Sequence, residues 1–137
     1  MKNKVISLRL PQGAAGRLER LARLFRRSVG ETAALLLEEK LKEEDFAFIE
    51  FRDSAVGRHA YVQGTSLAVW EVVLVARGTG TDAGKTAKHL EWPIEKVQAA
   101  LAYAAAHPDE IDPVIEEVES ITAEQIQAAL PWARRVP

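Results

Sequence analysis

Ser7 and Arg9 stand two residues apart in Lys4-Val5-Ile6-Ser7-Leu8-Arg9-Leu10-Pro11, a spacing that sets both side chains on one face of a β-strand. A guanidinium presented this way can donate two parallel hydrogen bonds to guanine, worth roughly 1–3 kcal/mol of discrimination against the wrong base. The opposite face carries Ile6, Leu8 and Leu10. No partner strand follows nearby, so the strand is expected to pair in trans. Two copies paired antiparallel about a two-fold axis would bury Leu8 and its neighbours against the helices that follow. Ser7 and Arg9 would then project as a two-stranded ribbon that fits the DNA major groove.

The elements that must hold such a ribbon come next. From Gln12 to Phe25, Ala15, Leu18, Leu21, Ala22 and Phe25 recur at helical spacing, with Arg17, Arg20 and Arg23 mostly outside. The pattern breaks at Arg26-Arg27. Ser28 to Glu31 reads as a capping box opening a second helix, which runs to about Lys42 through Leu35, Leu36, Leu37 and Leu41.

Strand, helix and capped helix over residues 3–42 resemble the ribbon-helix-helix fold of the MetJ/Arc class of dimeric repressors. The resemblance implies a homodimer on double-stranded DNA, with Val5, Ser7 and Arg9 at the three base-reading positions. Arg9 is the strongest reader; valine offers only apolar contact with a thymine methyl. The resemblance also implies a phosphate anchor at Ser28, Val29 and Gly30, where helix N–H groups and the helix dipole favour an anion, with Lys4 and Arg27 as accompanying phosphate contacts. Family members often carry a second small polar residue where this chain has Gly30, so that side-chain contact is not carried over.

Total charge hides an asymmetry that fits this reading. The chain has 137 residues and a formal net charge of −2. Residues 1–42 hold ten Lys/Arg and four Asp/Glu, a net of +6; residues 43–107 hold six and nine, a net of −3; residues 108–137 hold two and seven, a net of −5. A dimer would concentrate about twelve positive charges on its N-terminal part, as phosphate neutralisation requires. There is no cysteine, hence no disulfide framework or thiolate metal site. No long apolar segment indicates a signal peptide or membrane span, and a cytoplasmic location is the expectation.

Past Glu43-Glu44-Asp45, residues 46–52 read as a strand and residues 58–62 as its hairpin partner, with a turn through Asp53-Ser54 and Gly57. Residues 67–77, 82–90 and 93–106 read as helices, with Asp82 as an N-cap and Pro93 at a first helical position. Gly64-Thr65-Ser66-Leu67-Ala68-Val69-Trp70-Glu71-Val72-Val73 and Ala99-Ala100-Leu101-Ala102-Tyr103-Ala104 resemble the antitoxin-associated domain called DUF 433, over roughly residues 47–112. That resemblance implies a short β element before a helix-turn-helix-like bundle. Behind a ribbon-helix-helix segment it also implies a type II antitoxin whose partner is a small PIN-like ribonuclease toxin. The family's arginine is replaced here by Ser66. The candidate recognition helix from Pro93 is poor in basic residues and carries Glu95, so its alanines are expected to serve packing.

Other chemistry is thin. Gly78 to Thr86 imitates a phosphate-binding loop, but the first glycine of that motif should stand where this chain has Thr79. His59, His89 and His107 are scattered, and Ser54, Ser66 and Ser120 lack a base partner. No enzyme, cofactor or metal is expected. The tail, residues 113–137, reads as acidic and partly helical, with a further short helix from Thr122. Its end, Trp132 with Arg134 and Arg135, suits docking on a partner, and by analogy with antitoxins one arginine would reach the acidic centre of the toxin.

The fold class is therefore mainly α with short β elements, in three parts: 1–45 for DNA binding and dimerisation, 46–112 as hairpin plus three helices, and 113–137 as tail. The function expected is an autorepressing, toxin-neutralising antitoxin. A free-standing dimeric transcription regulator without a toxin is the alternative.

Overall fold

A computed structural model of the chain describes residues 3–54 and 57–129. It is mainly helical with one small antiparallel hairpin: α1 (Gln12–Phe25), α2 (Val29–Asp45), β1 (Ile49–Ser54), β2 (Gly57–Val62), α3 (Val69–Gly78), α4 (Ala83–Leu90), α5 (Ile94–Ala106) and α6 (Pro108–Ala129). The chain divides into two compact units, Met1–Lys42 and Glu43–Pro137.

In the first unit, residues 3–11 form no hydrogen-bonded strand within the single chain. α1 and α2 occupy the two stretches where helical spacing places them. α1 ends at Arg26, whose backbone is left-handed (φ 56°), and the Arg27 N–H closes the end on the Ala22 carbonyl at 3.0 Å. A non-glycine residue in this conformation costs about 1–2 kcal/mol, and the paired carbonyls offset it. α2 opens on Ser28, whose Oγ accepts the Glu31 N–H at 3.0 Å, and it continues one turn past Lys42. Among the described residues of this unit only Ala22, Thr32 and Glu39 are buried.

The second unit has a closed core. Ile49, Val62, Val69, Val72, Val97, Ala100, Tyr103, Ile111 and Ile115 pack together, drawn from the hairpin and from α3, α5 and α6. Tyr103 is its largest fully buried side chain, edge-on to Phe46 (centroids 5.1 Å) and Phe51 (6.3 Å), with its hydroxyl donating to Glu110 Oε2 at 2.7 Å. Small side chains do bring helices close here, but of the alanines in α5 only Ala100 is fully buried; Ala102, Ala105 and Ala106 face solvent.

Several boundaries differ from the sequence reading. Asp53, Ser54 and Gly57, expected in the turn, extend the two strands as paired residues, and the helix expected from residue 67 begins at Val69 because Leu67 and Ala68 still follow the hairpin, the Leu67 carbonyl taking the Val62 N–H. The first strand begins at Ile49, not Phe46, because Phe46 turns inward onto Tyr103 and His107 while Phe48 takes a left-handed turn conformation (φ 62°). Its pairing with β2 runs from Ile49↔Val62 to Ser54↔Gly57. Pro93 stands just before α5 as its N-cap, not at its first helical position. Finally, residues 108–129 form one helix and not two. Pro113 lies inside it, just past the first turn. The helix runs through the boundary expected at residue 112, and both Ile111 and Ile115 belong to the second unit's core.

Candidate nucleic-acid interface

The ribbon positions lie on an extended, exposed backbone that leads through Pro11 into α1. Val5 is 91 % exposed, and Lys4, Ser7 and Arg9 are exposed as well. Their apolar counterparts fare little better: Ile6 is 74 %, Leu8 60 % and Leu10 48 % exposed. Transferring such side chains out of water is worth about 1.5–3 kcal/mol each. A single copy leaves most of that unrealised.

Arg27, Ser28, Val29 and Gly30 share the exposed corner between α1 and α2. The Ser28 hydroxyl accepts from the Glu31 N–H and donates to Glu31 Oε1 at 3.2 Å, while the Ser28 carbonyl takes the Thr32 N–H at 3.0 Å and the Thr32 hydroxyl at 2.8 Å. The N–H groups of Val29 and Gly30, in the first turn, take no part in this capping. A Cβ at Gly30 would meet nothing within 4 Å, so the backbone there is approachable. These are the features an anion needs at a helix start: unused donors, the positive end of the dipole, and open space. Arg26 adds an exposed cation at the same corner; its left-handed backbone has no glycine to signal it in the sequence. Ser28→Ala is expected to lower the stability of the first unit by about 1 kcal/mol, measured by urea unfolding followed by helical circular dichroism.

Arg17, Arg20 and Arg23 are exposed along α1. Among the described residues, then, the first unit presents a basic surface together with apolar residues it does not cover, Leu24, Leu37 and Leu41 among them. The C-terminal candidates Trp132, Arg134 and Arg135 lie outside the described residues.

In the second unit the Gly64-Thr65 signature is structural. Gly64 has φ +74°, and the Thr65 hydroxyl reaches the Val62 carbonyl at 2.9 Å. Arg52 clamps this turn from the hairpin: it donates to the Thr65 carbonyl at 2.7 Å, pairs with Glu50, and lies 4.9 Å over the Tyr61 ring. Val69 is fully buried, and Trp70 packs against the core. The imitation phosphate loop is a helix-to-helix corner. Asp82 caps α4 by accepting the Lys85 N–H at 2.9 Å, which places a carboxylate where a phosphate would sit. Thr86 is fully buried, with its hydroxyl 2.6 Å from that of Thr79. Among the described residues no three His, Asp or Glu side chains are grouped to hold a metal ion. No helix is long and apolar enough to cross a membrane, among those residues.

Comparison with family models, curated proteins and solved structures finds no match to this chain.

Proposed function

We propose that this chain is the DNA-binding antitoxin of a type II toxin–antitoxin system, a homodimer that represses its own operon and neutralises a PIN-like ribonuclease toxin. One observation carries the DNA-binding part. The first unit opens on an extended segment with Ile6, Leu8 and Leu10 exposed, and among its described residues only three side chains are buried. An antiparallel pairing with a second copy gives that segment its missing hydrogen bonds and its apolar face a cover. It also turns Val5, Ser7 and Arg9 outward together. The net charge of +6 on residues 1–42 supplies the attraction to phosphate. The toxin-neutralising part rests on the resemblance of residues 47–112 and on the separate, acidic second unit.

Fluorescence anisotropy across a salt series, with the chain's own upstream DNA and a random duplex, tests the ribbon. The wild type is expected to prefer its upstream DNA and to weaken with salt, and Arg9→Ala to lose about 1–3 kcal/mol of that preference. Equal binding by Arg9→Ala would remove the ribbon from base reading. Co-expression with the product of the adjacent reading frame tests the second half: a frame toxic alone and harmless with this chain supports the antitoxin, and a harmless frame favours a free-standing regulator.

A further inference from the structure

α5 keeps one side out of the core. Val97, Ala100 and Tyr103 are buried, whereas Ile94, Glu95, Gln98, Ala102 and Ala105 are exposed. With 3.6 residues per turn those five fall within about 100° of the helix circumference. The face is polar at its start, and beyond Gln98 it carries only alanine methyls. α4 packs on α5 with Thr86 and Ala87 buried, and residues 91–93 join the two helices, Glu91 taking the left-handed conformation (φ 58°) that turns the chain.

The cations of this unit are sorted. Residues 43–107 hold six Lys/Arg. Arg52, Arg58 and Lys96 are engaged, with Glu50, with Asp53 and with the Gln63 carbonyl. The other three, Arg77, Lys85 and Lys88, are exposed and lie at the end of α3 and on α4, a helix that contains no Asp or Glu. The acidic excess lies elsewhere, with seven Asp/Glu and no Lys or Arg in α6.

We propose that α4 and α5 act as a helix-turn-helix that lays the exposed face of α5 in the major groove of double-stranded DNA, with Arg77, Lys85 and Lys88 on the flanking phosphates. Such a helix contacts base edges with its N-terminal residues. Gln98 matches the paired donor and acceptor of adenine, Glu95 accepts from the cytosine amino group, and Ile94 meets a thymine methyl. Ala102 and Ala105 keep the rest of the face low, so the helix can lie close to the groove. A protein partner fits less well, because Ile94 is the only large apolar side chain on this face. The site does not depend on the ribbon, and the two are separable by mutation.

Anisotropy on the full chain, with the upstream DNA, a random duplex and upstream duplexes carrying single base-pair changes, is run across a salt series. The chains are the wild type, the double variant Lys85→Gln with Lys88→Gln, Gln98→Ala and Arg9→Ala. All the replaced side chains are exposed, so circular dichroism is expected to stay unchanged, and light scattering reports each chain's oligomeric state. The double variant is expected to bind both the upstream and the random duplex at least about tenfold more weakly, with a salt slope shallower by about two per chain. Gln98→Ala is expected to lose about fivefold to hundredfold of the preference at base pairs other than those affected by Arg9→Ala. Weaker binding by the double variant with base preference intact in Gln98→Ala overturns base reading by α5. Wild-type behaviour in both overturns the site altogether, whatever Arg9→Ala reports of the ribbon. A lower oligomeric mass in Gln98→Ala with DNA binding intact overturns it in favour of a second copy on this face. No DNA binding by the wild type overturns this site and the ribbon together.

Discussion

Leu8→Asp is expected to abolish dimerisation and operator binding while leaving the second unit folded. In a single chain Leu8 touches little, being 60 % exposed, so the substitution costs the isolated monomer almost nothing. The whole penalty arises when a second copy covers that face. Burial of one leucine is worth about 1.5–3 kcal/mol, and a two-fold interface counts it twice, so about 3–6 kcal/mol is lost before any cost of burying two carboxylates. That corresponds to a dimerisation constant weakened by at least about 100-fold. Sedimentation velocity at micromolar chain concentration, run beside anisotropy, reads both effects. A Leu8→Asp chain that remains a dimer would place the interface elsewhere and leave the exposed ribbon unexplained.

The second large effect concerns stability. Tyr103→Ala is expected to destabilise the second unit by about 3–5 kcal/mol, the range for deleting a large buried aromatic, out of a total that for a domain of this kind is about 5–15 kcal/mol. The ring is fully buried and meets Phe46, Phe51 and His107, so its removal leaves a cavity that α5, held against α3 and α4, cannot collapse to fill. Tyr103→Phe keeps the ring and loses the hydroxyl's bond to Glu110, a residue that is partly exposed; about 1 kcal/mol is expected. Urea denaturation of the two variants separates these terms. Equal losses would mean that the hydrogen bond, not the packed ring, holds the centre of this unit.

What the sequence reveals depends on whether a signal is local. The helices at 12–25 and 29–45 and the N-caps at Ser28 and Asp82 follow from spacing and side-chain chemistry within a few residues, and they stand where that chemistry puts them. The start of β1 does not. Phe46 and Phe48 alternate as a strand should, yet Phe46 is claimed by an aromatic cluster sixty residues away, and no local pattern reports that competition. The stops at Arg26 and Glu91 follow from the break in spacing, but the backbone they take there does not: both are left-handed helix ends (φ 56° and 58°) made without glycine or asparagine. The tail differs in the opposite sense: no break precedes the short helix expected from Thr122, and one helix runs through, with Pro113 near its start removing a donor without ending it. As for the candidate interface, the order of polar and apolar residues from Lys4 to Leu10 was legible at once. The exposure of both faces in the single chain was not, because alternation alone does not show whether a second copy is needed to complete the strand.

The unequal cores of the two units bear on how long such a chain survives. A protease cleaves what is open, and the rate follows the population of open forms when closing is fast. The second unit protects itself at any concentration through its own packed interior. In the proposed dimer the first, with three buried side chains among its described residues, would gain protection only as copies accumulate and associate. Scarcity would therefore expose residues 1–42 to digestion first and leave behind a stable remnant carrying α6. Abundance would preserve the chain whole, so that its turnover reports its own copy number.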